Sequence, residues 1–208
     1  MQGLWLLSWR HVTHHRGRTA LLVFCIALAT FLPVTIQLLI RDYQAGLTAR
    51  ATATPLLAGA KGNRFDLTLG ALYFRQSELA PIPYGQLEEL QARNLGTAIP
   101  IHASYTARSA PVVGTTIEYF ELRGLAPTSG TLPLQIGDAV LGAGLAERLE
   151  LAVGAQLSSD PTDLYDLAKP PTLVFDIVGV LPKTGAPDDD AVFVDVKTCW
   201  ILEGLAHG

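Results

Sequence analysis

Residues 19–40, TALLVFCIALATFLPVTIQLLI, are 22 consecutive residues without a charge. At a rise of ~1.5 Å per residue, a helix of this length is ~33 Å long, enough to cross a hydrocarbon core of ~30 Å. The hydroxyls of Thr30 and Thr35 can bond back to carbonyls one turn earlier, so a membrane helix tolerates them. Pro33 is tolerated where neighbouring groups satisfy the carbonyl that it frees. The sequence therefore predicts a transmembrane helix over residues 19–40.

The charges on either side of this segment predict its orientation. Residues 1–18 carry three arginines, three histidines and no acidic residue, whereas Arg41 is followed at once by Asp42. By the positive-inside rule, the N-terminus is cytoplasmic and the residues after the helix lie outside. A cleaved signal peptide is the alternative, but its apolar core usually has 7–15 residues with a small-residue cleavage site close behind. We expect an uncleaved anchor.

The basic segment 1–18 has an amphipathic start. Trp5 and Trp9 are four residues apart and share one helical face. Indole rings favour the headgroup layer, and Arg10 would face lipid phosphates. We predict a short interfacial helix in contact with membrane lipid on the cytoplasmic side; a disordered cytosolic stub is the alternative.

Charge and cysteine content limit the partners and the location that residues 19–208 can have. The net charge is −4, and without residues 1–18 the balance is 12 basic against 19 acidic residues, or −7. This acidity argues against nucleic acid as a partner, since phosphate binding needs a basic face. Cys25 lies in the apolar helix and Cys199 near the other end of the chain, so no disulfide framework is expected. A domain almost without cysteine fits a bacterial periplasm.

Beyond the membrane segment, we expect a helical stalk over residues 41–58 and an α+β domain over residues 59–208. The stalk should fade at Thr54, because a residue before proline avoids helical geometry. Period-two alternation or β-branched residues predict strands, and spaced leucines predict helices. The predicted strands cover residues 65–73 (one strand, or two bent at Gly70), 97–108, 111–116, 138–144 (a short strand running into a turn), 153–158, 172–181 and 191–194. The predicted helices cover residues 84–93, 145–151 and 195–205.

Two glycine pairs partly match nucleotide-binding motifs. Gly142 and Gly144 follow a strand and precede a helix, but Glu147 stands where a dinucleotide fingerprint needs Gly or Ala. Gly59 and Gly62 lack the Lys-Ser/Thr pair of a Walker A loop. We interpret the first pair as a tight strand-to-helix turn, and expect the chain neither to bind nor to hydrolyse ATP.

Residues 188–190, three consecutive aspartates, could hold a hard cation such as calcium, but the twelve-residue EF-hand pattern is absent. A solvated charge run at an exposed turn is the simpler interpretation. His102 and His207 have no evident nucleophile beside them, and neither cysteine has a basic or helix-start setting. The sequence thus predicts no catalytic, cofactor-binding or metal-binding residue, and no enzyme.

Several segments together resemble the N-terminal half of FtsX/MacB-type ABC transporter permeases. They are the basic stub WRHVTHHRGRT (9–19), the membrane helix, LLAGAKGNRFDLTLGALYF (56–74), VLGAGLAERLELAVGAQL (140–157) and FDIVGVLPKTGAPDDDAVFVD (175–195). The resemblance implies a MacB-like periplasmic core domain over residues 59–208 and a bacterial inner-membrane location. It places residues 188–190 at a hairpin tip.

The resemblance also implies partners. Such permeases work with a separate cytoplasmic ABC ATPase, which drives movement of the periplasmic domains for export or extracytoplasmic regulation. We accordingly expect a homodimer and a periplasmic partner. Such permeases carry three further membrane helices, so this sequence corresponds to a truncated permease, a fragment or a single-span relative. The alternative function is a stand-alone, membrane-anchored periplasmic binding or scaffold protein.

Overall fold

The computed structural model describes residues 14, 16–54, 56–76, 79–94, 96–161 and 172–204. It divides into two compact units, one ending at Ala53 and one beginning at Thr54. The predicted interfacial helix at residues 1–18 lies almost wholly outside the described residues.

The described part of the first unit forms one long helix, α1 (Arg16–Thr52). Its part from Arg16 to Gln44 is long and apolar enough to cross a membrane, with a mean hydropathy of 2.4. As expected, Thr35 Oγ1 donates a hydrogen bond to the Phe31 carbonyl at 2.8 Å, and Thr30 Oγ1 donates to that of Ile26 at 3.0 Å. Both hydroxyls are therefore paired within the helix, as an apolar environment around it would require.

The second unit is a mixed sheet with helices packed on it. Its helices are α2 (Arg64–Tyr73), α3 (Tyr84–Ala92), α4 (Ile117–Arg123), α5 (Ala143–Leu149) and α6 (Val196–Leu202). Its strands are β1 (His102–Ala107), β2 (Ala110–Thr115), β3 (Ser129–Gly130), β4 (Asp138–Leu141), β5 (Gln156–Ser158), β6 (Val174–Val180) and β7 (Val192–Asp195). The expected α+β class is confirmed.

The strands follow the order β1-β2-β7-β4-β6-β3, and β5 also pairs with β6. The β2–β7 and β4–β6 pairs are parallel, and the others are antiparallel. Parallel neighbours bury both faces of the central strands. Accordingly, Val192, Phe193 and Val194 of β7 are all fully buried.

Each face of the sheet carries its own apolar core. One core joins Leu145 of α5 and Cys199 of α6 to inward-facing residues of β2, β4, β6 and β7. The other is aromatic and centres on Phe193, whose ring stacks on Tyr119 at 5.5 Å and meets Phe74 edge-on at 5.7 Å. Large, fully buried side chains on both faces fix the register of the central strands, because a one-residue slip would exchange the two cores.

The turn between β1 and β2 is held by a residue far along the chain. Arg108 and Ser109 both have a left-handed backbone, with φ of 50° and 64°, as a two-residue hairpin turn requires. The carboxylate of Asp160 accepts hydrogen bonds from both of their amides, at 2.9 and 2.8 Å. The Asp160 amide in turn donates to the Thr106 carbonyl at 2.7 Å. Asp160 therefore protects part of the outer edge of β1.

The sequence-based expectation is wrong for residues 65–73 and missing for residues 117–123. Residues 65–73 form helix α2 instead of a strand: the Asn63 side chain accepts the Phe65 amide and begins a helix, which buries Leu72. Helix α4 was not predicted at all, although Thr116 precedes it and Gly124 ends it with a left-handed φ of 64°. A glycine in this conformation after a helix is a recognised stop signal.

Candidate functional site

The run of acidic residues forms a short 3₁₀ helix, Pro187–Asp190, beside helix α5. Asp188 and Asp189 are buried, with exposed fractions of 4% and 7%. The expectation of a solvated, exposed hairpin tip is therefore wrong. Buried carboxylates need hydrogen-bond donors from the protein in place of water. The donors around these aspartates therefore indicate the role of the run.

Each of the three carboxylates has a different set of protein donors. The Tyr119 hydroxyl of α4 donates to Asp188. Asp189 accepts from the amide and hydroxyl of Thr184, at 2.8 and 2.7 Å, and from the Gly185 amide at 2.7 Å. Asp190 pairs with Arg148 of α5 at 3.0 Å. We call these three aspartates and their donors the aspartate turn.

Gly142 and Gly144 belong to the same arrangement. A Cβ on Gly142 would overlap the carbonyl oxygen of Asp188, and one on Gly144 would lie 3.1 Å from that of Asp189. Gly142 also donates its amide to the Ala191 carbonyl at 2.9 Å. The pair thus lets the protein's own backbone approach, which explains two glycines at this spacing without a phosphate ligand.

Because the carboxylates face separate donors, they do not converge on one point, which a cation site requires. Within the described ranges there is no group of three or more His, Cys, Asp or Glu side chains placed to share a metal ion. The aspartate turn has a structural role. It ties α4, α5 and the loop after β6 together through charge-assisted hydrogen bonds.

A second polar cluster lies between β1 and α6, and we call it the His102 cluster. His102 Nε2 lies 3.2 Å from Glu203 Oε1, with the two side chains 15% and 23% exposed. The Tyr105 ring packs on the imidazole at 5.9 Å between centroids. Cys199 lies one helical turn before Glu203 and is fully buried. Its sulfur occupies space that a Cβ at position 114 would fill, so Gly114 leaves room for it.

The electrostatics of this cluster disfavour nucleophilic chemistry. Burial, with the nearby carboxylates of Glu203 and Asp195, raises the pKa of the Cys199 thiol to about 12. Burial and Glu203 likewise raise the pKa of Tyr105 to about 12. A reactive cysteine needs the opposite, a lowered pKa and an accessible sulfur. Cys199 is a core residue.

The structure separates the residues that the sequence indicates into two clusters: His102 and Cys199 form one, and Gly142, Gly144 and residues 188–190 form the other. No sequence pattern marks Tyr119, Asp160 and Glu203, which complete buried or half-buried polar contacts. Their partners lie far away in the sequence, and no local pattern marks such a pair. Residues 205–208, including His207, lie outside the described part of the chain.

A family model described as the MacB-like periplasmic core domain matches residues 19–206. No curated protein matches the sequence. A solved structure of the periplasmic region of MacB from Actinobacillus actinomycetemcomitans aligns over 72% of this chain and 67% of its own, with 15% identity and a TM-score of 0.48. Since the family model covers most of the chain, this protein belongs to the MacB-like periplasmic core domain family, as its resemblance to FtsX/MacB-type permeases implied.

Proposed function

We propose that this chain is the permease component, or the N-terminal part of one, of an FtsX/MacB-type ABC transport system. In this proposal, a separate cytoplasmic ATPase drives movement of the periplasmic domain through the membrane helix. The output is export of a substrate or regulation of an extracytoplasmic partner. One observation carries the proposal: the family match begins within the apolar helix and ends past α6, so that it covers helix and domain together.

The described polar clusters support a mechanical role over a catalytic one. The aspartate turn uses its carboxylates to join α4, α5 and the loop after β6. Cys199 is inaccessible, and its raised pKa keeps it a thiol. A domain that transmits movement needs such rigid internal connections and needs no reacting group.

The charge distribution supports a cytoplasmic N-terminus and a periplasmic domain in a bacterial inner membrane. Arg16 and Arg18 stand at the start of the apolar stretch, and Asp42 follows it. The proposed segments are 1–18 at the cytoplasmic surface, 19–40 in the membrane, 41–58 as a stalk and 59–208 as the core domain. We further propose that two copies of this chain form a homodimer.

Fusions to the C-terminus test the topology. Alkaline phosphatase, which folds only in the periplasm, should be active when fused after Gly208, and green fluorescent protein at the same place should be dark. A fusion at residue 18 should give the opposite pair of results. Fluorescence from the fusion after Gly208 would reverse the topology and contradict the permease proposal.

Co-purification tests the partner. The chain, tagged and extracted from membranes in mild detergent, should retain an ATP-hydrolysing subunit that can be identified by mass spectrometry. A chain in which another protein's basic cytoplasmic segment replaces residues 1–18, the part proposed to lie at the cytoplasmic surface, should lose that subunit. Retention of a periplasmic protein without any ATPase would favour the alternative, a stand-alone anchored scaffold.

A further inference from the structure

The sheet face that carries the aromatic core is covered at its centre and exposed at one margin. Side chains alternate between the two faces along a strand, so Val174 and Asp176 of β6 lie on the same face as Val178, which packs against the aromatic core. Val174 is 47% exposed, and Asp176 is exposed as well. Their partners on β5, Ser158 and Gln156, are also exposed. The face over β5 and β6 is therefore an uncovered sheet surface.

The turn before β4 adds two exposed aliphatic side chains at this margin. Leu134 is 67% exposed and Ile136 is 58% exposed. The turn is nevertheless well held, because the Asp138 carboxylate accepts hydrogen bonds from two of its amides, including that of Leu134 at 3.2 Å. The Gly137 carbonyl also accepts the Asp176 amide at 2.9 Å, which joins the turn to β6. Exposed apolar side chains that are gathered on one surface mark sites of interaction.

Two carboxylates lie side by side on this surface. Asp138 of β4 and Asp176 of β6 are register partners, so their side chains share a face. Like charges at adjacent positions of neighbouring strands repel each other. The groups that donate hydrogen bonds to them are uncharged: two turn amides for Asp138, and the Gln156 side chain, at 2.9 Å, for Asp176. Among the residues that the structure describes, neither carboxylate forms an ion pair with a lysine or arginine. The surface therefore lacks the positive charge that would complement it.

We propose that this surface docks a basic segment of a periplasmic partner protein. We call it the acidic margin, and its residues are Leu134, Ile136, Asp138, Val174 and Asp176. The partner's segment carries lysine or arginine side chains next to aliphatic ones. Its cations pair with the two carboxylates, and its aliphatic side chains cover the three exposed ones. The periplasmic location of the partner rests on the proposed function, whereas its chemistry follows from the acidic margin.

The charge of the acidic margin distinguishes this partner from other occupants. A second copy of the chain presents the same two carboxylates, so pairing of this surface across a two-fold axis would bring like charges together. An anionic membrane surface and a nucleic acid would be repelled in the same way. Residues 19–208 carry 12 basic and 19 acidic residues, a net charge of −7, which attracts a basic partner from a distance. Charge and exposed apolar area therefore both favour a basic, partly aliphatic segment.

A short fluorescent peptide of alternating lysine and valine tests the acidic margin. Its binding to the purified full chain is measured by fluorescence anisotropy, with the chain in nanodiscs of neutral phospholipid that do not attract the peptide by charge. Binding should be saturable and should weaken as the salt concentration rises. The same peptide with glutamate in place of lysine should not bind. Binding of the glutamate peptide with equal affinity, or no binding of the lysine peptide, would overturn the proposal.

Two matched double variants test whether the position of the charges matters. Asp138→Asn with Asp176→Asn keeps an oxygen that can accept each hydrogen bond and removes both charges, and it should weaken binding about threefold to tenfold. Glu88→Gln with Glu89→Gln removes two exposed charges from α3 and should leave the Kd unchanged. An equal loss in both double variants would mean that the peptide senses only the net charge. That result, or an unchanged Kd in the aspartate variant, would contradict docking at the acidic margin.

The aliphatic part of the acidic margin is tested at constant charge. Leu134→Ser with Ile136→Ser should weaken binding of the lysine peptide about tenfold, since the apolar contacts are lost. Leu90→Ser on α3 is the control, because Leu90 is 44% exposed but lies on another element, and it should leave the Kd unchanged. An unchanged Kd in the double variant would leave only non-specific attraction between charges, which would overturn the proposal.

Cross-linking of the unaltered chain keeps the test independent of whether the variants fold. A benzophenone group on the lysine peptide should attach, on illumination, to residues 134–138 or 174–176, as identified by mass spectrometry. Attachment confined to other residues would overturn the proposal. All of these measurements use the purified chain without an ATPase. Failure of the peptide to bind is therefore distinguishable from failure of the permease proposal, which the topology and co-purification experiments test.

Discussion

The hydroxyl of Tyr119 on α4 donates a hydrogen bond to the carboxylate of Asp188, a residue in the 3₁₀ helix before β7. Both side chains are buried, with exposed fractions of 2% and 4% for the two residues. Tyr119 also stacks on Phe193 in the aromatic core. One ring therefore connects an apolar core to a buried charge.

Replacing Tyr119 by Phe tests the strength of this connection. Tyr119→Phe keeps the ring and removes a donor to a buried carboxylate, and it should lower the free energy of unfolding by about 1–3 kcal/mol. Urea unfolding of the second unit measures this. Tyr84→Phe is the matched control, because its ring contact with Trp200 needs no hydroxyl. Equal losses in both variants would contradict a special role for the Tyr119 hydroxyl.

The second unit should fold without the membrane helix. Residues 54–208 contain both apolar cores and the whole sheet. The segment should be soluble, with mixed helix and strand signals in circular dichroism and a cooperative thermal transition. A version that starts at residue 60 should be less stable by about 1 kcal/mol, since Arg123 Nη2 loses its 2.8 Å bond to Thr54 Oγ1. An aggregated product from residues 54–208 would contradict the expectation.

Gly142 should not accept a methyl group. Gly142→Ala places a Cβ against the Asp188 carbonyl oxygen and the Asp189 backbone. The resulting backbone shift should cost about 1–3 kcal/mol. Gly85→Ala is the control, because a Cβ there meets nothing within 4 Å. Thermal unfolding of the two variants compares them, and similar melting temperatures would mean that the aspartate turn moves aside without cost.

Asp160 should make the β1–β2 hairpin sensitive to acid. Burial raises the pKa of the Asp160 carboxyl, but hydrogen bonds from Ser109, Thr106 and Arg108 outweigh burial and lower it below its usual 3.8. This stabilisation is complete above pH 3.8 and is lost as the pH falls through the lowered pKa. Asp160→Asn should therefore cost about 1 kcal/mol at pH 7 and much less at pH 2.5.

Unfolding in urea at the two pH values measures the Asp160 effect. Asp176→Asn is a suitable control, because its carboxylate accepts from the exposed Gln156 side chain at 2.9 Å and not from the hairpin. A loss of stability that is the same at pH 7 and pH 2.5 would mean that the Asp160 charge has no part in holding the turn.

Some elements could be predicted from local sequence because local chemistry determines them. An uncharged run of this length fixes α1, and the hydroxyls of Thr30 and Thr35 bond within one turn. In β6, the alternation of exposed and buried residues from Val174 to Val180 follows the pleat of a strand. The same alternation was misleading in residues 65–73, where Phe65, Leu69 and Leu72 also fit helical spacing and the Asn63 cap decides for a helix.

The sequence by itself determined a helix long and apolar enough to cross a membrane, the mixed fold class and the family, because these depend on composition, on periodicity and on the order of segments. Only the tertiary structure decided the roles of the polar residues. Asp188 is buried because Tyr119 reaches it from another helix, and His102 meets Glu203 because the sheet brings β1 beside α6. Whether a charged group stabilises or destabilises the fold depends on its neighbours in space. Here those neighbours are distant in the sequence.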